Sequence, residues 1–316
     1  MKKNSFIFLK ILFLSLFLLS SCQSLKIEQK KTAFQKEDFI PQEYEWNFLE
    51  NENSGIETAF FENKNIPLKY CLVKINLKNP DLRLVVFPQE ENLNSKNFSK
   101  SGYFSSMRTK DFAKKNNLLV AINAGPFQTK SKISSLISKK RKILGIYKNQ
   151  NKIFSDSVQK YSALSFSKVK GEEGIFYVPQ IFQNQNNADF SNEEIVLGAF
   201  FTILKDSQIL QGFSTERRDA RTAVGFDSEK NFFYILVCEK SAESTGLSYP
   251  ECAQIFKALG LSDALEFDGG SSSELALMQN GSLKNFPHNK IIVCQAVSFG
   301  FCLESKNPQK DISQSN

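Results

Sequence analysis

Apolar positions along this chain come in short runs, most of them four to ten residues long, broken by Asn, Asp, Gly, Pro and Ser. Such runs, rich in Val, Ile and Phe, predict strands. LKYCLVKINL (68–77) and LRLVVFP (82–88) are separated by the turn-forming Lys78-Asn79-Pro80-Asp81, which predicts a hairpin. Further strands are expected at LLVAIN (118–123), ILGIY (143–147), ALSFS (163–167), IVLGAFFTIL (195–204), ARTAVGF (220–226) and FFYILVCE (232–239). The last two are joined by the hairpin-like stretch 227–231. DALEF (263–267), LALMQNGSL (275–283) with its Asn280-Gly281 turn, and IIVCQAVSF (291–299) complete the set.

Helical signals are fewer. Residues 105–117 can form one helix, and 128–142 reads as a Ser/Lys-rich loop. SYPECAQIFKALG (248–260) carries the fullest set of signals. Ser248 can cap it, Pro250 suits its first turn, and Glu251 stands at the capping-box spacing. Positions 252, 255, 256 and 259 make one apolar face, and Gly260 supplies the stop. The pattern gives one mixed α/β (α+β) domain over 67–303, with a large mixed sheet and few helices. No internal repeat and no dinucleotide-binding glycine fingerprint is present.

The ends read differently. MKKNS followed by FIFLKILFLSLFLLS is a charged n-region and an apolar stretch of secretory length, interrupted by Lys10. Leu19-Ser20-Ser21-Cys22 then resembles the bacterial lipobox, in which small residues admit the peptidase and the cysteine thiol takes the lipid. Residues 1–21 are therefore expected to be a lipoprotein signal peptide and Cys22 the lipidation site, holding the protein on a membrane of the cell envelope. The stretch 22–66, rich in Lys, Glu, Gln and Asn, reads as a polar tether, and 304–316 as a flexible tail.

Composition narrows the classes. Hydrophobic residues make up 41% of the 316 positions, with 30 Phe, enough for a sizeable core and unlike a disordered chain. The formal charge of +7 includes Lys2, Lys3 and Lys10 of the leader, and what remains is mild and scattered, which argues against nucleic acid as a partner. Behind Cys22 stand Cys71, Cys238, Cys252, Cys294 and Cys302, with no CxxC spacing for zinc. Cys294 and Cys302 in one extended run would lie about 26 Å apart, too far to bridge. His288 is the one histidine, so a histidine-based metal site is excluded and a Ser-His-Asp triad, lacking any GxSxG elbow, is poorly supported. No cofactor is expected; a carboxylate-held calcium near Asp268 stays open, without EF-hand spacing to support it.

Chemistry concentrates at ALEFDGGSSSELAL (264–277), where an apolar strand ends in an acid, two glycines and three serines. Gly269 and Gly270 let backbone N–H groups approach a ligand, Ser271 and Ser272 add hydroxyls, and Asp268 can move a proton. The alternative is a tight turn in which Asp268 bonds its own backbone. AINAGPF (121–127) also ends a strand in an amide and a glycine, Asn123 and Gly125. RRDARTAVGF (217–226) puts Arg221 at a strand mouth, where its fork suits phosphate or, alternatively, a structural carboxylate.

Taken in order, N-x-G-x-F, R-T-A-V-G, a helix ending in Leu-Gly and a strand ending D-G-G-S-S, over about residues 68–302, resemble the phosphodiester glycosidase family. The block from Gly246 through Ser272 is its most specific part. The resemblance implies a mixed α/β fold and hydrolysis of a sugar-1-phosphodiester. It also implies a catalytic pair Asp268 and Arg221, with Asn123, Gly125, Gly269, Gly270, Ser271 and Ser272 binding substrate. Two departures, Ala124 and Pro126 in the N-G-G-F-F motif and Ser271 for a third glycine, bear on substrate choice more than on fold. A second carboxylate is not fixed: Glu216, Asp219 and Glu274 each lie near a motif, whereas Glu251 is explained by the capping box. The rival is a non-catalytic glycan-binding or adhesive lipoprotein on the same fold, which a lost Asp268 would have favoured. For the anchor, Cys22→Ala is expected to abolish incorporation of labelled fatty acid; equal label in both proteins would overturn it.

Overall fold

In the computed structural model the described residues are 34–94, 96–130, 139–150, 152–172, 174–288 and 293–304. The strands that matter here are β1 (Ile56–Asn63), β2 (Leu68–Asn76), β3 (Leu82–Phe87), β4 (Val120–Asn123), β5 (Ala163–Lys170), β6 (Ile195–Gly198), β7 (Phe201–Lys205), β8 (Arg221–Phe226), β9 (Phe232–Cys238), β10 (Asp263–Glu266), β11 (Leu275–Gln279), β12 (Ser282–Phe286) and β13 (Ser298–Leu303). Two helices stand against them, α1 (Thr109–Lys115) and α2 (Tyr249–Ala258).

An eight-stranded sheet runs β1-β2-β9-β8-β10-β7, with the two-residue strands Asn47–Phe48 and Gln208–Ile209 at its edges. A five-stranded sheet runs β12-β11-β4-β13-β3, and another centres on β6 and β5. The fold is the expected α+β class with few helices, and the named ladders of the large sheet are antiparallel. The sheets meet at an aromatic centre. Phe166 of β5, Phe233 of β9, Phe299 and Phe301 of β13 and Phe267, just past β10, are fully buried with ring centroids 5.4–6.3 Å apart. Rings at these separations favour edge and tilted contacts over face-to-face stacking.

Helix α2 matches its sequence signals. The Ser248 side chain accepts from Glu251 N, and Glu251 returns the bond to the Ser248 N–H. Cys252, Ile255 and Phe256 are buried, and the helix packs on β7 and β10. Cys71, Cys238 and Cys252 are buried free thiols.

Five expectations need correction. β2 and β3 are not a hairpin: β2 lies between β1 and β9, and β3 pairs with β13 in another sheet. Both runs are apolar on both faces, so the local pattern did not define their partners. The run 195–204 breaks after Gly198 into β6 and β7 of different sheets, and 143–147 breaks at Gly145, whose φ is +90°. Only Thr109–Lys115 of 105–117 is helical. Finally, the tether reading fails from residue 35 on. β1 pairs over its whole length with β2, Leu49 and Ile56 enter the core, and the buried Tyr70 hydroxyl donates to the Phe39 carbonyl at 2.7 Å. Residues from Gln35 on form one compact unit. The Cys22 reading, the tether up to residue 33 and the tail beyond 304 lie outside the described residues.

Candidate active site

Three strand ends converge on the DGGSS loop. Antiparallel pairing sets Ala223 of β8 opposite Glu266 of β10. Beyond that pair Phe267 N–H donates to the Thr222 carbonyl and Gly270 N–H to the Ala220 carbonyl, so the loop that carries Asp268 folds against the mouth of β8, where Arg221 stands. Beneath them, on the neighbouring sheet, β4 ends at Asn123.

Asn123 is fully buried. Its carboxamide oxygen accepts from Thr222 Oγ1 at 2.8 Å and from Glu274 N at 3.0 Å, while its nitrogen donates to the Asp268 carbonyl at 2.7 Å. Asp268 N in turn donates to the Ala124 carbonyl at 3.0 Å. Asn123, expected to bind substrate, instead holds the loop in place. Gly125 is also buried, and a Cβ there would lie 2.6 Å from the Gly198 carbonyl oxygen, so its glycine serves close packing of β4 against β6.

The loop itself is partly open. Gly270 has φ +60°, the left-handed region that favours glycine, and its N–H donates to the Ala220 carbonyl. A Cβ on Gly269 would stand 2.8 Å from that carbonyl oxygen. Ser271 is exposed; Ser272 is buried and donates its hydroxyl to Asp268 Oδ2 at 2.6 Å. Gly269, Gly270 and Ser271 thus line the surface, and Ser272 orients the carboxylate from beneath.

Arg221 is held rather than mobile. Its Nε donates to the Leu247 carbonyl at 2.8 Å and Nη2 to the Arg217 carbonyl at 2.7 Å. The guanidinium lies over the Tyr249 ring at 4.3 Å, and Nη1 sits 3.6 Å from the position a Gly269 Cβ would take. Arg221 makes no ion pair among the described residues, contrary to the structural alternative. The nearby fork that does is Arg218, which grips Glu251 at 2.6–3.1 Å.

The three candidate second carboxylates separate cleanly. Glu216 is exposed. Glu274 is buried and accepts from Thr109 N, Lys110 N and Asn285 Nδ2, so it anchors the start of α1. Asp219 faces the loop: its Oδ2 is 3.7 Å from a Gly270 Cβ, and its Oδ1 is 3.8 Å from Lys240 Nζ. Sequence reading missed a fourth. Glu266 shares a sheet face with Arg221 and lies wholly buried, with the weakly donating Cys252 thiol against its carboxylate. Its signal was a charged residue inside the apolar run ALEF, where alternation aims position 266 under α2. Among the described residues no three His, Cys, Asp or Glu side chains come together as a metal-binding group.

Burial raises the Asp268 carboxyl to about 6, against the bonds from Ser272 and the Gly269 N–H. Burial raises Glu266 further, to about 7, with Arg221 and Cys252 opposing. A carboxyl raised toward neutrality and oriented by a serine can accept a proton or stabilise a cation, and a guanidinium held against Gly269 of the same loop can hold an anion.

Residues 116–304, more than half of the chain, match the phosphodiester glycosidase family model. The chain belongs to that family. A hypothetical protein from Synechocystis shares the fold with a TM-score of 0.54 at 16% identity, over 79% of this chain and 62% of that one. The zebrafish N-acetylglucosamine-1-phosphodiester alpha-N-acetylglucosaminidase catalytic domain, auto-inhibited by its pro-peptide, gives a TM-score of 0.54 at 15% identity over 83% of this chain and 88% of that one. No curated protein matches the chain.

The two raised carboxyls bind protons more tightly folded than unfolded. Their stabilising contribution is full below about pH 4 and is lost as pH rises through 6 to 7. Melting measured at pH 5 and pH 8 is expected to show this loss. Glu266→Gln is expected to narrow the gap, by about 3 kcal/mol at most, from 1.36 kcal/mol per unit of pKa change. An unchanged gap would show that Glu266 titrates normally.

Proposed function

We propose that this protein hydrolyses the bond between a sugar's anomeric carbon and the phosphate of a sugar-1-phosphodiester. The observation that carries the reading is that the Asp268-Gly269-Gly270 loop folds against the mouth of β8, with Arg221 Nη1 3.6 Å from the position a Gly269 Cβ would take. The Arg221 guanidinium takes the phosphate, and Asp268 faces the anomeric carbon. Water adds to that carbon and its proton passes to a carboxylate. The carbon–oxygen bond breaks and its electron pair leaves with the phosphate monoester. The leaving group is already acidic, so stabilising its charge matters more than protonating it. Asp268 stabilises the oxocarbenium-like centre, with Asp219 the nearest further carboxylate across the loop.

The zebrafish relative is named for cleaving an N-acetylglucosamine-1-phosphodiester, and we extend the reaction class, not the particular sugar, to this chain. The LSSC stretch behind a charged leader supports a lipid anchor at Cys22 and a place in the cell envelope, on envelope or host glycans. A glycan-binding protein without catalysis would need neither a raised Asp268 carboxyl nor a fixed guanidinium beside it.

The test compares Asp268→Asn and Arg221→Lys with the wild type on sugar-1-phosphodiesters carrying a chromogenic aglycone. Asp268→Asn is expected to lower turnover on the order of 10²-fold or more, the range of a positioned acid–base group, with little change in melting. Arg221→Lys keeps the charge and loses the fork, so activity falls while folding survives. Near-wild-type turnover in Asp268→Asn would remove Asp268 from the mechanism.

A further inference from the structure

Two peptide units hold the Arg221 guanidinium, and both lead to the same ion pair. The first joins Leu247 to Ser248. Its carbonyl accepts from Arg221 Nε at 2.8 Å, and its N–H donates to Glu251 Oε2 at 2.7 Å. The second joins Arg217 to Arg218. Its carbonyl accepts from Arg221 Nη2 at 2.7 Å. Arg218, which supplies its nitrogen, closes its own guanidinium on Glu251: Nε reaches Oε1 at 3.0 Å and Oε2 at 3.1 Å, and Nη2 reaches Oε1 at 2.6 Å.

The geometry makes these contacts interdependent. A planar peptide cannot turn its N–H without turning its carbonyl. A carboxylate on the N–H also polarises the peptide and makes the carbonyl a stronger acceptor. Glu251 thus sets the direction and the strength of the bond from Leu247 to Arg221. The Asp219 and Leu247 backbones exchange two bonds, at 3.1 and 3.0 Å, which join the two segments. The Arg218 fork, one residue earlier, adds a second attachment that leaves the Arg217 carbonyl less room to turn. Phe213 adds a third: it meets Tyr249 edge-on at 5.4 Å, and Tyr249 is the ring on which the Arg221 guanidinium lies. The Arg218 and Glu251 side chains are only 15% and 7% exposed, so water screens the pair little. Capping α2 needs the Glu251 bonds to Ser248 and calls for no cation.

We propose that Arg218 and Glu251 are positioning residues for Arg221, and that their ion pair keeps the Nη1 side of that guanidinium presented to the Gly269 loop, where the phosphate binds. This rests on the hydrolytic reading above. With Nε and Nη2 engaged by the two carbonyls, Nη1 lies 3.6 Å from the position a Gly269 Cβ would take. A guanidinium free to swing would have to be ordered when the phosphate arrives, and that ordering lowers affinity.

The test is a double-mutant cycle. Arg218→Lys keeps the charge beside Glu251 and loses the fork. Glu251→Gln keeps an oxygen for the Ser248 N–H and loses the charge. Each is expected to lower kcat/KM on a chromogenic sugar-1-phosphodiester on the order of tenfold, the size of a coupling within one network, in a protein still folded at the assay temperature. In an Arg221→Lys background the same changes are expected to cost less than about twofold, because the group they act through is gone. Equal losses in both backgrounds, or activity that falls only in step with melting, assign the ion pair to stability alone and overturn the proposal. A second reading needs no turnover. The Arg221 Nε–H is the arginine side-chain NMR signal that Arg221→Lys removes, and its bond to Leu247 protects it from exchange with water. Both variants are expected to speed that exchange on the order of tenfold or more. Unchanged exchange in both overturns the proposal whatever the activity. Faster exchange in a protein that cleaves no diester supports the positioning of Arg221 and sinks the hydrolytic reading instead.

Discussion

The site depends on one buried carboxamide. Asn123 binds the Thr222 hydroxyl, the Glu274 N–H and the Asp268 carbonyl, and so ties β8, the start of β11 and the end of β10 to β4. Each of those partners is buried or nearly so, and an unpaired polar group there would cost on the order of 1–3 kcal/mol. The amide therefore does two things. It joins the eight-stranded sheet to the five-stranded one, and it fixes the backbone from which Asp268 projects. Position, more than reach toward a ligand, explains why an asparagine stands there.

The remaining polar groups extend the same scheme. Ser272 orients Asp268, Glu274 secures α1, and the carbonyls of Leu247 and Arg217 hold the Arg221 guanidinium over Tyr249. The groups proposed to act on substrate are thus placed by strand ends and backbone carbonyls, which bend less than free side chains. Glu266 is the exception. A buried carboxylate with only a weakly donating thiol against it is unfavourable when charged, and burial answers by raising its proton affinity.

Much of this was legible in the residues. The α2 helix and most central strands followed from periodicity and capping chemistry, and the grouping of Arg221, Asp268 and the glycine pair from the family resemblance. Strand partners did not. The Lys78–Asp81 turn looks like a hairpin, yet β2 lies between β1 and β9 and β3 pairs with β13, as the pairings Leu72 with Ala59, Leu72 with Leu236 and Leu84 with Phe301 show. Likewise β1 sits in a stretch whose Glu and Asn content hides its buried Ile56, Thr58 and Ala59. The roles of Asn123 and Gly125 were misjudged for a related reason. A motif marks that a residue is needed at a site, but only packing distinguishes a group that touches ligand from one that holds the wall.

The central claim is that the bond broken lies between the sugar carbon and oxygen, not between phosphorus and oxygen. Hydrolysis of a sugar-1-phosphodiester in heavy-oxygen water, with mass analysis of both products, tests it most directly. The account places the heavy oxygen on the anomeric carbon of the released sugar and none in the phosphate monoester. Heavy oxygen in the phosphate would make the protein a phosphodiesterase and contradict the role given to Asp268.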